Sequence, residues 1–288
     1  MSPQAIIGLV LKVSIALTVF GFGLQSSRDD LIYLLRRPRV LVRSLVAMFV
    51  IMPLFVLLMT SVVSFNRAVL IALIALSISP IPPLLPRKVT KSTGLASYGL
   101  GLMVTAASLS IALIPLATYL LGKYFHKPFA MGPGAVAKLI VPTVLVPIAA
   151  GVLFRAWAPA IAKRIAHPLT RIAGIMLLLG VVCILAFAAP AVWSLVGNGT
   201  ILAFVAFIIA GLAVGHLLGG RDPDERVTLA LCTACRHPAL AIAIAGANIP
   251  EEHRVFAAVL LYVLLNALLT IPYVAWQRKK IQPLRAAH

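Results

Sequence analysis

The sequence predicts an all-α polytopic membrane protein with about nine transmembrane helices, and three observations support this prediction. Hydrophobic residues make up 61% of the 288 residues and charged residues only 11%, whereas soluble domains are roughly 45–50% apolar and about 25% charged. The apolar residues form stretches close to the ~20 residues that a helix needs to cross a bilayer. The linkers between these stretches are short, so no extramembrane domain is expected.

Nine candidate spans follow one another along the chain. They cover residues 4–25, 40–63, 67–84, 94–122, 133–156, 169–192, 200–219, 225–247 and 254–276. Two of them contain a helix-breaking sequence, since the third ends in SPIPPLLPRK and the eighth contains CRHP. Proline inside a helix removes a hydrogen bond and clashes with the preceding turn. Both of these spans are therefore predicted to be interrupted.

Basic residues set the predicted orientation in an inner (plasma) membrane. If the N-terminus lies outside, eighteen Lys and Arg residues fall in cytoplasmic segments, and only Arg67, Lys123, Lys127 and Arg254 lie outside. The positive-inside rule therefore places the C-terminus in the cytoplasm. Nucleic-acid binding is not expected despite the net charge of +18, because the basic residues lie at span ends and form no patch with aromatic residues.

The acidic residues exclude several functions. All seven, Asp29, Asp30, Asp222, Asp224, Glu225, Glu251 and Glu252, lie in loops or at span ends. A carboxylate proton relay, an acidic cation cage and an intramembrane enzyme with paired carboxylates all need an acid deep in the bilayer. We therefore predict that the protein is not an enzyme.

The two interrupted spans indicate an internal repeat. The first interruption contains Pro80, Pro82, Pro83 and Pro86, and the second contains Pro238. Each lies in the span before the last span of its half, which divides the chain into a first repeat of four spans (1–124) and a second of five (125–288). The two interrupted spans, the third and the eighth, are five spans apart. Because this number is odd, the two repeats run in opposite directions across the membrane. Interruptions at matching positions of an inverted repeat point to a transport site.

Four segments resemble the bile acid:sodium symporter (BASS) superfamily, which includes plant and bacterial organic-anion carriers. They are FGFGLQSSRDDLIYLLRRPRV (20–40), MPL (52–54), SPIPPLLPRKVTKSTG (79–94) and TLALCTACRHPALAIAIA (228–245). The resemblance runs along nearly the whole chain and is that of a divergent bacterial-type member. It implies two five-helix inverted repeats, here without the first helix, whose two discontinuous helices cross between a panel domain and a core domain.

The chain departs from the family at the sodium site. Cys232 stands where the family has a sodium-binding glutamate, Arg236-His237 replaces its Gln-Asn pair, and Leu85-Pro86 replaces its Ser-Asn pair. Sodium is a hard cation that prefers oxygen ligands, and these substitutions remove them. The sequence therefore predicts no cofactor, and it leaves the coupling ion open between sodium, a proton and none.

The predicted substrate site consists of both interruptions and the span after the first. Its residues are Cys232, Arg236, His237, Pro238, Pro82, Pro83, Leu85, Pro86, Arg87, Thr105 and Ser108. We hypothesise that Arg236 supplies permanently the positive charge that sodium supplies in relatives, and that it attracts an anion, because a guanidinium stays protonated. The alternative is that Arg236 only binds carbonyls that Pro238 leaves free.

Other residues at the interruptions also allow two interpretations. His237 is either the carrier of a coupled proton or a hydrogen-bonding residue of its helix. Arg87 and Lys88 either extend the positive field or anchor a cytoplasmic loop. Cys232, Cys235 and His237 lack the fourth ligand of a closed zinc site, so apolar packing is the better interpretation of the cysteines.

From the sequence we predict secondary transport of a small organic anion by alternating access. The alternative is a channel or membrane sensor with the same fold and no coupled transport. The expected partners are the anion and the lipid bilayer, and the chain is expected to be a monomer.

Overall fold

The computed structural model describes residues 3–86, 89, 95–126, 129–197 and 199–286. Within these ranges all regular elements are helices. We number them in chain order: α1 (Pro3–Gln25), α2 (Arg28–Leu31), α3 (Pro38–Val62), α4 (Arg67–Ile78), α5 (Ala96–Phe125), α6 (Pro133–Trp157), α7 (Pro159–Trp193), α8 (Thr200–Leu218), α9 (Pro223–Ala234), α10 (Pro238–Asn248) and α11 (Val255–Ala286). Two of these helices, α3 and α6, each contain one π-helical turn, Ala47–Ile51 and Val141–Leu145.

The predicted polytopic all-α architecture is confirmed. Eight segments in the described part of the chain are long and apolar enough to cross a membrane, with α9 and α10 counted as one, and α4 is a shorter apolar helix. The third predicted span is helical from Arg67 only to Ile78. It stops there because Ser79 precedes Pro80 and adopts an extended backbone, which proline imposes on the residue before it.

The helices form two groups. Helix α1 packs closely against α6 and α7. The second group is formed by α3, α4, α5, α8, α9, α10 and α11, which pack mainly against one another. The groups meet where α5 contacts α6 and where α7 contacts α11. This division agrees with the panel and core domains that the family resemblance implies, whereas the division of the chain into repeats at residue 124 remains a prediction.

Within the second group, the interrupted segment Pro223–Asn248 lies deepest. In an apolar stretch of 18 residues within this segment, 78% of the residues are buried inside the protein, whereas the share is 11% in Pro159–Trp193. The helix that carries the second interruption is thus surrounded by protein, while α7 presents most of its surface outward. An interrupted backbone in a membrane needs such surroundings, because lipid cannot satisfy its free polar groups.

Glycines bring α8 and α9 into backbone contact. A Cβ atom at Gly215 would lie 2.5 Å from the Cα of Ala230 and 2.5 Å from the carbonyl oxygen of Leu229. Small residues spaced four apart allow helices in membranes to approach this closely. The first half of the interrupted segment is therefore held against α8 by backbone packing.

Ion pairs mark the two ends of the bundle. Arg37 pairs with Glu225 at 2.9 Å, at the end we call the Arg37 end, where α3 and α9 begin. Arg67 pairs with Glu251 at 2.8 Å, at the end we call the Arg67 end, where α4 begins and α10 finishes. Each pair joins two residues that the sequence predicts on the same side of the membrane.

We expect Gly215→Ala to destabilise the protein by about 1–3 kcal/mol, the usual cost of overpacking, because the added methyl group overlaps the backbone of α9. Gly246→Ala is the matched control, since a Cβ atom there has no neighbour within 4 Å and alanine is the better helix former. Thermal unfolding of the purified proteins in one detergent measures both. Equal melting midpoints would contradict the close contact of α8 and α9.

Candidate functional site

The two interruptions meet in the interior of the protein. The backbone is extended at Ser79 after α4 and at Cys235 after α9. The N–H of His237 donates to the carbonyl oxygen of Pro80 at 2.9 Å. Next to this bond, Nη1 of Arg236 donates to the carbonyl oxygen of Ser79 at 3.2 Å. The second interruption is therefore bonded directly to the first.

Proline explains why the Ser79 carbonyl is available. If α4 continued, this carbonyl would accept the N–H of residue 83, or of residue 82 in a tighter turn. Both positions are proline and carry no N–H. The Arg236 guanidinium supplies the missing donor.

The second acceptor of Arg236 arises in the π turn of α3. The N–H of Met52 donates to Ala47, five residues earlier, so the carbonyl of Met48 would need the N–H of residue 53. That residue is Pro53, which has no N–H. Nη2 of Arg236 donates to the Met48 carbonyl at 3.0 Å, and this bond ties α3 to the crossing.

A third carbonyl is satisfied from α11. The carbonyl of Ala234 has no helical donor because the residue four positions later is Pro238. It accepts hydrogen bonds from the Tyr262 hydroxyl at 2.8 Å and from Nδ2 of Asn266 at 2.9 Å. The same hydroxyl accepts the backbone N–H of Arg236 at 2.7 Å. Helix α11 therefore fixes the backbone that carries Arg236.

The charge of Arg236 is buried without an acidic partner. Its side chain is 1% exposed, and the seven acidic residues all lie outside the apolar core of the sequence. The C-terminus of α4 lies at the guanidinium, because Nη1 bonds the carbonyl of Ser79 there, and a helix C-terminus carries about half a negative charge. The Met48 carbonyl adds a second acceptor from within α3. Nε has no hydrogen-bond partner among the described residues.

His237 caps the second half of the interrupted segment. Its Nδ1 accepts the N–H of Leu240 at 3.3 Å in the first turn of α10, and 8% of the residue is exposed. This is the contact that the hydrogen-bonding interpretation requires. A role of His237 in proton coupling remains a prediction.

Both cysteines of the interruption are buried. Cys232 lies within α9, and Sγ of Cys235 donates to Oδ1 of Asn266 at 3.1 Å. No group of three or more His, Cys, Asp or Glu residues gathers anywhere in the part of the chain that the structure describes.

The predicted site residues of the first interruption follow the contacting residues in the sequence and differ in burial. Pro82 is half-buried, whereas Pro83, Leu85 and Pro86 are buried. The carbonyls that contact the second interruption belong to Ser79 and Pro80, just before this predicted set.

On α5, Thr105 is half-buried and Ser108 is exposed. Arg87 lies outside the described residues. Substrate binding by any residue of the predicted set remains a prediction.

Two cavities border the crossing. One, which we call the Arg67 cavity, has a volume of about 210 Å³ and lies between α4, α5 and α10, from Arg67 down to Ile78. The other, which we call the lateral groove, has a volume of about 600 Å³ and lies between α3 and α5. Ile78 and Leu121 line both spaces. Ile78 directly precedes the residue whose carbonyl Arg236 binds.

Sequence reasoning missed the residues that complete the crossing. Tyr262 and Asn266 are polar residues four apart in the apolar segment VLLYVLLNALL, a spacing that places both on one face of a helix. This signal was available. The sequence does not reveal that the Met48 carbonyl lacks a helical donor, because this requires the π turn as well as Pro53.

One comparison with known proteins gives a match. A sequence model of the Sodium Bile acid symporter family matches residues 12–195, which is more than half of the chain. The matched segment contains the first interruption and ends before α8, so Arg236 lies beyond it. No curated protein matches the chain.

We expect Tyr262→Phe to destabilise the protein by about 1–3 kcal/mol, because it leaves the buried N–H of Arg236 without its acceptor. Asn266 would still donate to the Ala234 carbonyl. Tyr119→Phe, on a residue that is 55% exposed, is the control and should unfold like the wild type. Thermal unfolding in detergent measures the difference, and an unaltered midpoint for Tyr262→Phe would mean that the hydroxyl does not hold the crossing.

Proposed function

Because the chain belongs to the sodium bile acid symporter family, whose members are transporters rather than enzymes, we propose that it carries a small organic anion across the membrane by alternating access. The crossing of the two interruptions supports this proposal. Transporter sites form where discontinuous helices meet near the middle of the bilayer. The helix group of α1, α6 and α7 would move against the rest around this crossing.

The observation that carries the proposal is the position of the Arg236 guanidinium. Helix C-termini and unwound carbonyls commonly coordinate the cation in transporters with broken helices. Here the Ser79 carbonyl at the C-terminus of α4 and the Met48 carbonyl in the π turn of α3 face a positively charged group that belongs to the chain. We therefore propose that Arg236 occupies the role of a bound sodium ion and that transport does not require sodium.

The same geometry refines the hypothesis about the substrate. With a side chain 1% exposed, Arg236 has its two terminal nitrogens bonded to protein carbonyls. Its proposed role is therefore to hold α3, α4 and α9 in one arrangement rather than to bind the anion directly. An anion near the crossing would still benefit from its field, because charges interact strongly where water is scarce.

We also propose the membrane orientation given by the positive-inside rule, with the N-terminus outside and the C-terminus in the cytoplasm of a bacterial-type inner membrane. The Arg37 end would then face the cytoplasm and the Arg67 end would face outward. We expect a cysteine introduced in place of Arg254 to be labelled by a membrane-impermeant thiol reagent added to intact cells. A lack of labelling would contradict this orientation.

We expect saturable counterflow of small radiolabelled carboxylates in proteoliposomes, at the same rate in sodium and in choline buffer. Arg236→Met should abolish it, because Met removes the donors for the Ser79 and Met48 carbonyls while keeping a long side chain. Arg254→Met is the matched control and should transport like the wild type. Counterflow also separates a carrier from a channel, which cannot show it.

The outcomes have different meanings. Wild-type transport that stops in choline buffer would overturn the role of Arg236 as a fixed cation. The triple variant Cys232→Glu, Arg236→Gln, His237→Asn restores the residues that the family resemblance places at these positions. We expect sodium to stabilise this variant against thermal unfolding and to leave the wild type unchanged, a comparison that does not depend on knowing the substrate.

We expect His237→Asn to retain both the transport rate and its dependence on pH. Asparagine is a good N-cap residue, so it can replace the bond to the Leu240 N–H while removing the titratable ring. The measurement is counterflow between pH 5.5 and 7.5. If the variant alone loses the dependence on pH, His237 carries a coupled proton and the capping role is secondary.

A further inference from the structure

The Arg67 cavity has the composition of a binding site for an amphipathic anion. Apolar side chains of α4, α5 and α10 form most of its wall, among them Ile71, Ile74, Leu121 and Phe125. The charged residue of its lining is Arg67, at the start of α4. An apolar chamber with one cation at its end matches a ligand with an apolar body and one negative group.

The volume of the cavity and its aromatic lining indicate which apolar group the ligand carries. A dry apolar cavity of about 150 Å³ in another protein binds benzene, so about 210 Å³ accommodates a benzene ring with a short side chain. Phe125 and Phe129 line the cavity in edge-to-face contact, with ring centroids 6.3 Å apart. A ligand ring can add to this pair with the same geometry, which aromatic groups prefer.

The cation at the end of the cavity is accessible to a ligand. Arg67 is bonded through Nη2 to Glu251 at 2.8 Å, and the two side chains are 56% and 62% exposed. Exposed ion pairs of this kind are weak, and a guanidinium has five N–H donors. A ligand carboxylate can therefore bind Arg67 in competition with Glu251.

We propose that the Arg67 cavity binds a small aromatic carboxylate, with the ring between α4, α5 and α10 and the carboxylate at Arg67. The inner end of the cavity reaches Ile78, which precedes the Ser79 carbonyl held by Arg236 and lies about 16 Å along α4 from Arg67. A ligand bound at Arg67 would thus occupy the outer part of a cavity that leads toward the crossing. This proposal rests on the proposed function for its meaning in transport, but the binding itself is measured without transport.

The test is direct binding of radiolabelled 3-phenylpropionate to the purified protein in lipid nanodiscs. We expect Arg67→Ala to raise Kd about tenfold, the loss of one charge-assisted contact. Arg254→Ala is the matched control, because Arg254 also pairs with a glutamate and has a side chain that is 56% exposed. Equal effects of the two substitutions would overturn the assignment of Arg67.

Removing the competing carboxylate should have the opposite effect. Glu251→Gln frees Arg67, and we expect it to lower Kd about threefold. Its control, Glu252→Gln, disrupts the pair with Arg254 and should leave Kd unchanged. If Glu251→Gln weakens binding, the carboxylate of the probe does not bind at Arg67.

The apolar half of the site is tested by filling the cavity and by altering the probe. Ile74→Trp should raise Kd at least tenfold, whereas Ile175→Trp, on the exposed surface of α7, should not change it. Acetate and 3-phenylpropanol, which lack the ring and the charge respectively, should compete at least tenfold more weakly. Binding that Ile74→Trp leaves intact would place the probe in the lipid and overturn the proposal.

The outcomes distinguish this site from the proposed function. Binding of 3-phenylpropionate with the expected pattern of variants, but without counterflow of any carboxylate, would overturn the transporter and leave the site. Counterflow of smaller carboxylates without binding of 3-phenylpropionate would overturn the site and leave the transporter.

Discussion

The contact between one guanidinium and the carbonyls of two other segments determines how the interior of this protein is built. Arg236 bonds to Ser79 and Met48, so three helices from distant parts of the chain converge on a single side chain. A buried charge without compensation would be very costly. Here the compensation comes from the polarity of the backbone, because the guanidinium bonds to a carbonyl at the end of α4 and to another in the π turn of α3. The arrangement therefore needs no acid in the membrane interior, in agreement with a sequence whose acids all lie at span ends.

Proline creates the need that these side chains meet. Pro83, Pro53 and Pro238 each remove the N–H that would otherwise satisfy a carbonyl one turn earlier. In water such carbonyls would be hydrated, but in a bilayer they must find donors within the protein. Arg236 supplies the first two donors, and Tyr262 and Asn266 on α11 supply the third. The interruptions are thus specified twice, by the residues that break the helices and by the residues that bond the broken ends.

Much of the fold follows from the sequence alone, because span length and proline position are local properties. The interruptions at SPIPP and CRHP lie where they were predicted, and the importance of Arg236 follows from the cost of a charge in an apolar segment. The identity of its partners does not follow, since Met48 is 188 positions away and its carbonyl lacks a helical donor only because a π turn is combined with Pro53. Predicted residues such as Ser108, which lies on the exposed surface of α5, show the limit of reasoning from polarity without tertiary contacts.

The covalent attachment of this cation has an energetic consequence. A dissolved ion that binds on one side and leaves on the other gives the carrier the free energy of its own concentration difference. A guanidinium that is part of the polypeptide returns to its starting point in every cycle and dissipates no gradient. A protein built in this way would equilibrate its solute or exchange it for another, and any uphill accumulation would have to be driven by a second solute or by the membrane potential.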